Sequence, residues 1–343
     1  MLLMIDACNS KCVMCGGEYF AHRSGRKLTR AKVSAIYDHL RPKLLTMAIF
    51  AGGGEPLLNP EFDEIAALSR ARCPTATLTL ITNGIALDEK RIRTLVDHRI
   101  NALVSINAAR PETYHRIHQV DQFERVCANV QALALASGGR TDLTLSLVGT
   151  RRNIAELPEL VRMAHRWGAQ GVLMSYCRFF PECFRCKSFD VPANRLRDED
   201  SLFFDQEESD RCVVEARRLA AKLGVRLEHE RLFAAGNTVG KCGYPWTTIF
   251  ASYDGEVYWC PTGEVLFEDA VETGRYGAVN LVRQDIREIR NNNFFVELRK
   301  SALQEEATIA ECRVCGNRLE WLGPCDPTRH ILAWDPAWKG VPR

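Results

Sequence analysis

Six apolar runs of strand length alternate with amphipathic stretches along the first half of the chain. They cover residues 2–5, 46–51, 77–82, 102–106, 143–148 and 171–176. Strands that are buried on both faces of a parallel sheet read as continuous runs of Val, Ile and Leu, and helices cover such a sheet from outside. The pattern therefore predicts an α/β fold, a partial (β/α)6 barrel, with its chemistry at the carboxyl ends of the strands.

Three cysteines, Cys8, Cys12 and Cys15, lie within eight residues directly after the first run. Three thiolates on one short loop can hold one metal centre. An iron-sulfur cluster that is held by three cysteines leaves one iron open, whereas zinc prefers four ligands and would need a further residue such as His22. The cysteine spacing favours the iron-sulfur cluster, with zinc as the alternative.

The spacing of these cysteines resembles the signature of the radical S-adenosylmethionine (SAM) enzymes, which have a TIM-like partial barrel. The resemblance implies a 4Fe-4S cluster that binds SAM, and a 5'-deoxyadenosyl radical that abstracts hydrogen from a carbon of the substrate. It also implies an external reductant such as flavodoxin or ferredoxin. One position departs from the family pattern, because Met14 stands where an aromatic residue often precedes the third cysteine.

Glycines and small polar residues follow several of the later runs, where they would otherwise be ordinary turn and loop residues. The sequence Gly-Gly-Gly-Glu-Pro at 52–56 resembles the family element that holds the amino group of SAM, and Arg152 resembles the family cation for its carboxylate. By resemblance, the expected cofactor-binding residues are Gly53, Gly54, Glu55, Ser105, Asn107 and Arg152.

Three more cysteines, Cys177, Cys183 and Cys186, follow the sixth run, amid several phenylalanines. Cys177 and Cys183 are candidate catalytic thiols that would return a hydrogen atom to a substrate radical. The alternatives are additional cluster ligands, a zinc clip, or buried small residues, since unpaired cysteine is among the residues most often buried.

The last third of the chain carries a second cysteine pattern around a predicted hairpin at 247–259, with Asp254-Gly255 at the turn. A helical stretch is expected at 282–303. The pattern resembles the twitch and SPASM domains of radical SAM enzymes, which hold auxiliary 4Fe-4S clusters; a zinc ribbon is the alternative. The resemblance implies these metal ligands, the first four matching the twitch arrangement and the fifth left over: Cys242, Cys260, Cys312, Cys315 and Cys325. Two clusters in total are expected, or three if further cysteines take part.

The 343 residues suggest a radical SAM barrel at 1–235, a small α+β auxiliary-cluster domain at 236–330 and a tail at 331–343. The 45 basic and 43 acidic residues give a net charge of +2, which argues against a nucleic-acid partner. Fourteen cysteines without a signal peptide or an apolar membrane-spanning run indicate a reduced, cytoplasmic protein with no membrane contact.

The substrate is the least constrained feature. Because the first strand begins at residue 2, no peptide-recognition domain is expected ahead of it. The favoured hypothesis is therefore a small polar natural-product intermediate, such as a sugar, aminocyclitol or nucleoside, that the enzyme dehydrogenates or epimerises. The alternatives are a ribosomally made peptide, modified by thioether formation, epimerisation or oxidation, and a non-catalytic zinc-binding protein.

Overall fold

The computed structural model describes residues 1–15, 25–41, 45–177, 196, 198–235, 244–258, 277, 279–302, 304 and 308–309. Within this part of the chain, one nine-stranded sheet runs in the order β7-β6-β5-β4-β3-β2-β1-β8-β9. All neighbouring strands are parallel except β8 and β9. The strands are β1 Leu2–Leu3, β2 Met47–Ala51, β3 Thr77–Thr82, β4 Ile100–Ser105, β5 Leu143–Gly149, β6 Gly171–Tyr176, β7 Arg226–His229, β8 Phe250–Ala251 and β9 Val257–Tyr258.

Helices connect and cover the parallel strands, and short 3-10 turns follow β2 at Pro56–Leu58 and β5 at Ile154–Glu156. The α-helices of the described residues are α1 Arg30–Leu40, α2 Phe62–Arg72, α3 Glu89–Asp97, α4 Pro111–His118, α5 Phe123–Ser137, α6 Leu157–Trp167, α7 Gln206–Leu223, α8 Tyr244–Thr247, α9 Ile286–Arg290 and α10 Asn293–Ala302. The predicted α/β class and the partial (β/α)6 barrel are confirmed.

Local sequence explains where the helices begin and end. Asp88 caps α3 by accepting a hydrogen bond from the Arg91 amide at 2.8 Å. Helices α6 and α7 end at Gly168 and Gly224, whose φ angles of 74° and 70° fall in the left-handed region that glycine adopts without a steric penalty. Each helix therefore turns back to the next parallel strand at a defined residue.

Several bounds differ from the sequence prediction. The strand predicted at 2–5 is only two residues long, because Ile5 leaves the sheet and forms an isolated bridge with Lys27. The single helix predicted at 282–303 is two helices. The side chain of Asn292 accepts a hydrogen bond from the Phe294 amide at 2.8 Å and so starts α10 as a separate helix.

The sheet extends beyond the six predicted barrel strands at both ends. The run after α7 adds β7, and the predicted hairpin adds β8 and β9 through β1. Leu2 pairs with Phe50 of β2 on one side and with Ala251 of β8 on the other. The proposed domain boundary at 235/236 stays a prediction. Among the described residues, no helix has the length and apolar character needed to cross a membrane.

Candidate functional site

The cysteine loop follows β1 and is held by the end of helix α4. The amide of Lys11 donates to the His118 carbonyl at 3.1 Å, and the amide of Val13 donates to the Ile117 carbonyl at 2.9 Å. The last carbonyls of a helix have no partner within the helix, so these loop amides complete the end of α4. The contacts fix the loop at the carboxyl edge of the sheet.

The three thiols of this loop, Cys8, Cys12 and Cys15, are all partly exposed. The side-chain amide of Asn83, after β3, donates to the Cys8 sulfur at 3.8 Å, and the Cys12 sulfur lies 3.1 Å from the hydroxyl of Ser10. No three His, Cys, Asp or Glu side chains of the described residues are grouped as ligands of a single metal ion. The ligand assignment rests on the chemistry of the donor set and stays a prediction.

A buried polar group that the sequence did not reveal lies beside Cys12. His118 is fully buried, with Nδ1 at 3.2 Å from the Cys12 sulfur and Nε2 at 3.0 Å from the Ile106 carbonyl. Burial lowers the pKa of His118 to about 4. The ring of Tyr114 stacks on this imidazole at 4.2 Å between centroids. The spacing of Tyr114 and His118, four residues apart on one helix, was the available signal.

Glu55 is the centre of a hydrogen-bond network that joins three strand ends. Its carboxylate accepts from the Leu57 amide at 3.1 Å, the Thr82 hydroxyl at 2.7 Å and the Asn83 amide at 2.7 Å. Its own amide donates to the Ala7 carbonyl at 2.8 Å. Burial raises the pKa of the Glu55 carboxyl, while the three hydrogen bonds oppose that shift. Since a carboxylate offers about four acceptor positions, about one remains for the ammonium group of a cofactor.

The glycines before Glu55 allow the backbone to approach two neighbours closely. A Cβ at Gly54 would lie 2.1 Å from the Ala7 carbonyl oxygen, so only glycine fits there. The amide of Gly53 donates to the hydroxyl of Tyr253 at 3.0 Å. Tyr253 follows β8, and the guanidinium of Arg26 lies over its ring at 5.4 Å. A residue of the C-terminal hairpin therefore contacts the predicted cofactor loop, which the sequence did not suggest.

The two predicted ribose or carboxylate contacts at the end of β4 have different surroundings. Ser105 is partly exposed and accepts a long hydrogen bond from Ser146 at 3.5 Å. Asn107 is buried with φ at 56°, and its side-chain oxygen accepts from the Val148 amide at 2.8 Å. The side chain of Asn107 thus joins the end of β4 to β5, which leaves Ser105 as the more accessible of the two.

Arg152 is the predicted cation for a cofactor carboxylate, and it already has a carboxylate partner. Its Nε and Nη2 atoms donate to the two oxygens of Asp200 at 2.7 and 2.6 Å. The adjacent Arg151 donates to the Glu199 carbonyl at 3.1 Å. Both arginines hold the segment after residue 197 against the β5 end, so a cofactor carboxylate would have to share Arg152 with Asp200.

Cys177 directly follows β6, where it is partly buried and its amide donates to the Gly149 carbonyl at 3.0 Å. It therefore lies at the carboxyl end of the sixth barrel strand, as predicted. The following predicted residues lie outside the described residues: His22, Cys183, Cys186, Cys242, Cys260, Cys312, Cys315 and Cys325.

The residues present at this edge fit an iron-sulfur cluster with SAM. Three partly exposed thiols share one loop, and glycine backbone approaches that loop closely at Gly54. The hydroxyl of Tyr114 is buried and has no hydrogen-bond partner among the described residues. A buried polar atom of this kind normally has a partner, so a ligand in this region is expected.

Two protein-family models match the chain. The model described as the radical SAM superfamily matches residues 2–164. The model named SPASM, described as an iron-sulfur cluster-binding domain, matches residues 242–316. The two matches agree with the two cysteine patterns at the two ends of the chain.

Curated proteins and solved structures give further similarities. The mycofactocin maturase MftC of Mycobacterium tuberculosis is 30% identical over 164 residues, covering 48% of this chain and 40% of the maturase. The PqqA peptide cyclase of Gluconobacter oxydans is 24% identical over 265 residues, covering 76% of this chain and 68% of the cyclase. SuiB of Streptococcus suis, solved with its precursor peptide SuiA, superposes with a TM-score of 0.65 at 14% identity, covering 87% of this chain and 65% of SuiB. The match thus spans two fifths of the maturase, and the likeness to SuiB shows the fold.

Proposed function

Since the chain belongs to the radical SAM superfamily and carries a C-terminal SPASM domain, we propose that it is an enzyme that modifies a peptide by radical chemistry. Its cofactors are SAM and a 4Fe-4S cluster, with additional iron-sulfur binding in the SPASM domain. This agrees with the cofactors that the sequence predicted. The zinc-binding alternative finds no support in these matches.

The observation that carries the peptide proposal is the match to the PqqA peptide cyclase, which extends over 76% of this chain. A match of that extent cannot be confined to residues 2–164. The solved complex of SuiB with a precursor peptide adds that this fold can accommodate a peptide. These relatives support the peptide alternative of the sequence analysis better than its favoured small polar metabolite.

The protein's own residues have defined tasks in this proposal. Cys8, Cys12 and Cys15 would hold the cluster, which together with SAM supplies the radical that abstracts a hydrogen atom from the substrate. Glu55 fixes the relative positions of the strand ends around that loop through its four backbone and side-chain contacts. The Gly53 amide, bound to Tyr253, holds the backbone next to it. Such fixed positioning is the protein's main contribution to cofactor-based chemistry.

The outcome of the radical step depends on groups near the substrate. If cysteines of the SPASM domain hold an auxiliary cluster, that group would supply the electron-accepting chemistry of a net oxidation, whereas a thiol of this chain would donate a hydrogen atom and give epimerisation. Cys177 lies at the carboxyl end of β6, where a donor thiol would be needed. Cys177 and Cys183 remain the proposed donors, and an external flavodoxin or ferredoxin remains the proposed reductant.

The proposal is tested with anaerobically reconstituted protein, SAM, dithionite and synthetic peptides that correspond to any short open reading frame beside its gene. We expect one peptide to stimulate SAM cleavage and to lose hydrogen, or to gain deuterium from heavy water if it is epimerised. The Cys8/Cys12/Cys15→Ala variant is the control and should leave the peptide unchanged. An unmodified peptide, together with conversion of a sugar, aminocyclitol or nucleoside under the same conditions, would contradict the peptide proposal.

A further inference from the structure

The hydroxyl of Ser10 lies next to the sulfur of Cys12 and is removed from solvent. The two atoms are 3.1 Å apart, within hydrogen-bond distance for a sulfur acceptor, and Ser10 is 2% exposed. The same hydroxyl lies 3.1 Å from the carbonyl oxygen and 3.4 Å from Nδ1 of His118. Ser10 is therefore held between the cysteine loop and the last residue of α4.

The position of the imidazole indicates which group can donate to the sulfur. The shortest contact of the His118 ring joins Nε2 to the Ile106 carbonyl oxygen at 3.0 Å, and a carbonyl oxygen can only accept. Nε2 also lies 3.3 Å from the side-chain amide of Asn107, which can donate, but the shorter contact with the carbonyl favours a ring proton on Nε2. In that tautomer Nδ1 is an acceptor, and the neutral ring does not donate to Cys12. The hydroxyl of Ser10 has a proton to donate.

A cysteine that holds iron is a thiolate, which is a stronger acceptor than a neutral carbonyl or imidazole nitrogen. Among the three acceptors around Ser10, the Cys12 sulfur would then receive the proton. We propose that Ser10 is a positioning residue that donates a hydrogen bond to the Cys12 sulfur in the loaded protein and raises the reduction potential of the loop cluster. The bond draws negative charge from the sulfur, and this stabilises the reduced, more electron-rich cluster more than the oxidised one.

Helix α4 sets the direction of this hydrogen bond from outside the loop. The His118 carbonyl accepts from the Lys11 amide at 3.1 Å, so it keeps a hydrogen bond when Ser10 donates to Cys12 instead of to this carbonyl, and the His118 ring is stacked on Tyr114 at 4.2 Å. Both rings are fully buried. Since Ser10 is buried, its hydroxyl chooses among these three neighbouring acceptors, and in the loaded protein the Cys12 sulfur is the charged one.

The test compares Ser10→Thr with Ser10→Val, which have the same shape and differ in the hydroxyl. Each variant is reconstituted anaerobically, and the midpoint potential of the loop cluster is measured by a redox titration that is followed by electron paramagnetic resonance. The loop signal is the one that disappears in the Cys8/Cys12/Cys15→Ala variant. We expect Ser10→Val to have a lower potential than Ser10→Thr and to release iron faster to a chelator. Ser209→Ala removes another buried hydroxyl, on α7, and should leave the potential at the wild-type value.

Equal potentials and equal rates of iron release in the Thr and Val variants would overturn the proposal. The inference rests on Cys12 as a cluster ligand, and the two can fail separately. If the triple cysteine variant keeps every iron-sulfur signal, the ligand assignment is wrong, whatever the Ser10 variants do. If the signal is lost but Ser10 has no effect, the cluster assignment stands and the Ser10 proposal fails.

Discussion

Replacing Glu55 by Gln should both destabilise the fold and weaken SAM binding. The carboxylate accepts three hydrogen bonds from Leu57, Thr82 and Asn83 in a site that is 2% exposed. Glutamine keeps one oxygen for the Leu57 and Thr82 donors. Its NH2 group would face the Asn83 amide, and no hydrogen bond can form between these two donors. Losing one hydrogen bond to a charged acceptor costs about 1.5 to 3 kcal/mol, and an unsatisfied buried donor adds to this.

We therefore expect the free energy of unfolding to fall by roughly 3 kcal/mol. The lost hydrogen bond and the unsatisfied donor together cost more than this, but removing a buried charge offsets part of that cost. The measurement is urea unfolding of the cluster-free protein, followed by circular dichroism. SAM affinity, measured by calorimetry on the reconstituted protein, should fall by about 1.5 to 3 kcal/mol if the remaining acceptor position binds the ammonium group.

Glu156→Gln is the matched control. Glu156 is also buried, and it accepts from the Ala109 amide and the Thr113 hydroxyl, both at 2.6 Å, neither of which belongs to the cysteine loop or to the glycine loop. The Glu156→Gln protein should lose stability to a similar extent and keep its SAM affinity. A Glu55→Gln protein whose unfolding free energy stays within about 0.5 kcal/mol of the wild type would refute the network described for Glu55. Unchanged SAM affinity would refute its role as the ammonium acceptor.

Four further outcomes are expected. The Cys8/Cys12/Cys15→Ala variant should form no 5'-deoxyadenosine with dithionite, and any residual cleavage of SAM would contradict the ligand assignment. Tyr253→Phe removes the acceptor of a cofactor-loop amide and should weaken SAM binding by about 0.5 to 1.5 kcal/mol in calorimetry, without a change in circular dichroism. The hydrogen bonds from Arg226 to Asp142 lower the pKa of that carboxyl. Its contribution to the free energy of unfolding is therefore present above about pH 4 and is lost as the pH falls through the lowered pKa. Asp142→Asn should remove this part of the pH dependence of the unfolding free energy, which amounts to less than about 1 kcal/mol because the pair is partly exposed. Iron analysis should give about 8 irons per chain for one auxiliary cluster and about 12 for two, and a count near 4 would exclude iron in the SPASM domain.

The strands were largely predictable because burial on both faces leaves a strong trace in the sequence. The bounds of β3 and β6 match the predicted runs at 77–82 and 171–176. Helix ends at glycine, as at Gly168 and Gly224, can be predicted from sequence for the reason given above. The short β1 was not predictable, because Ile5 is as apolar as its neighbours and nevertheless lies outside the sheet, in a bridge with Lys27.

The sequence predicted which residues belong to the candidate site better than it predicted their contacts. The cysteine loop and the glycines before Glu55 could be recognised because each is a pattern of neighbouring residues in the sequence. The contact of Ser10 with His118 joins positions that are 108 residues apart, and no local sequence pattern predicts it. Likewise, the sequence could assign Glu55 an acceptor role but could not tell that Thr82 and Asn83 already use most of it.

The pairing of β1 on both sides affects how the protein acquires its structure during synthesis. Leu2 meets Phe50 early in the chain, but its other neighbour, Ala251, is made only after the whole barrel. Contacts between residues so distant in sequence form late, because a long loop must close first. Until the hairpin leaves the ribosome, the strand beside the cysteine loop has an open edge that can pair with other chains. Iron delivered before that moment would reach a loop whose supporting sheet is still unfinished, and truncation ahead of residue 250 would leave the edge permanently exposed.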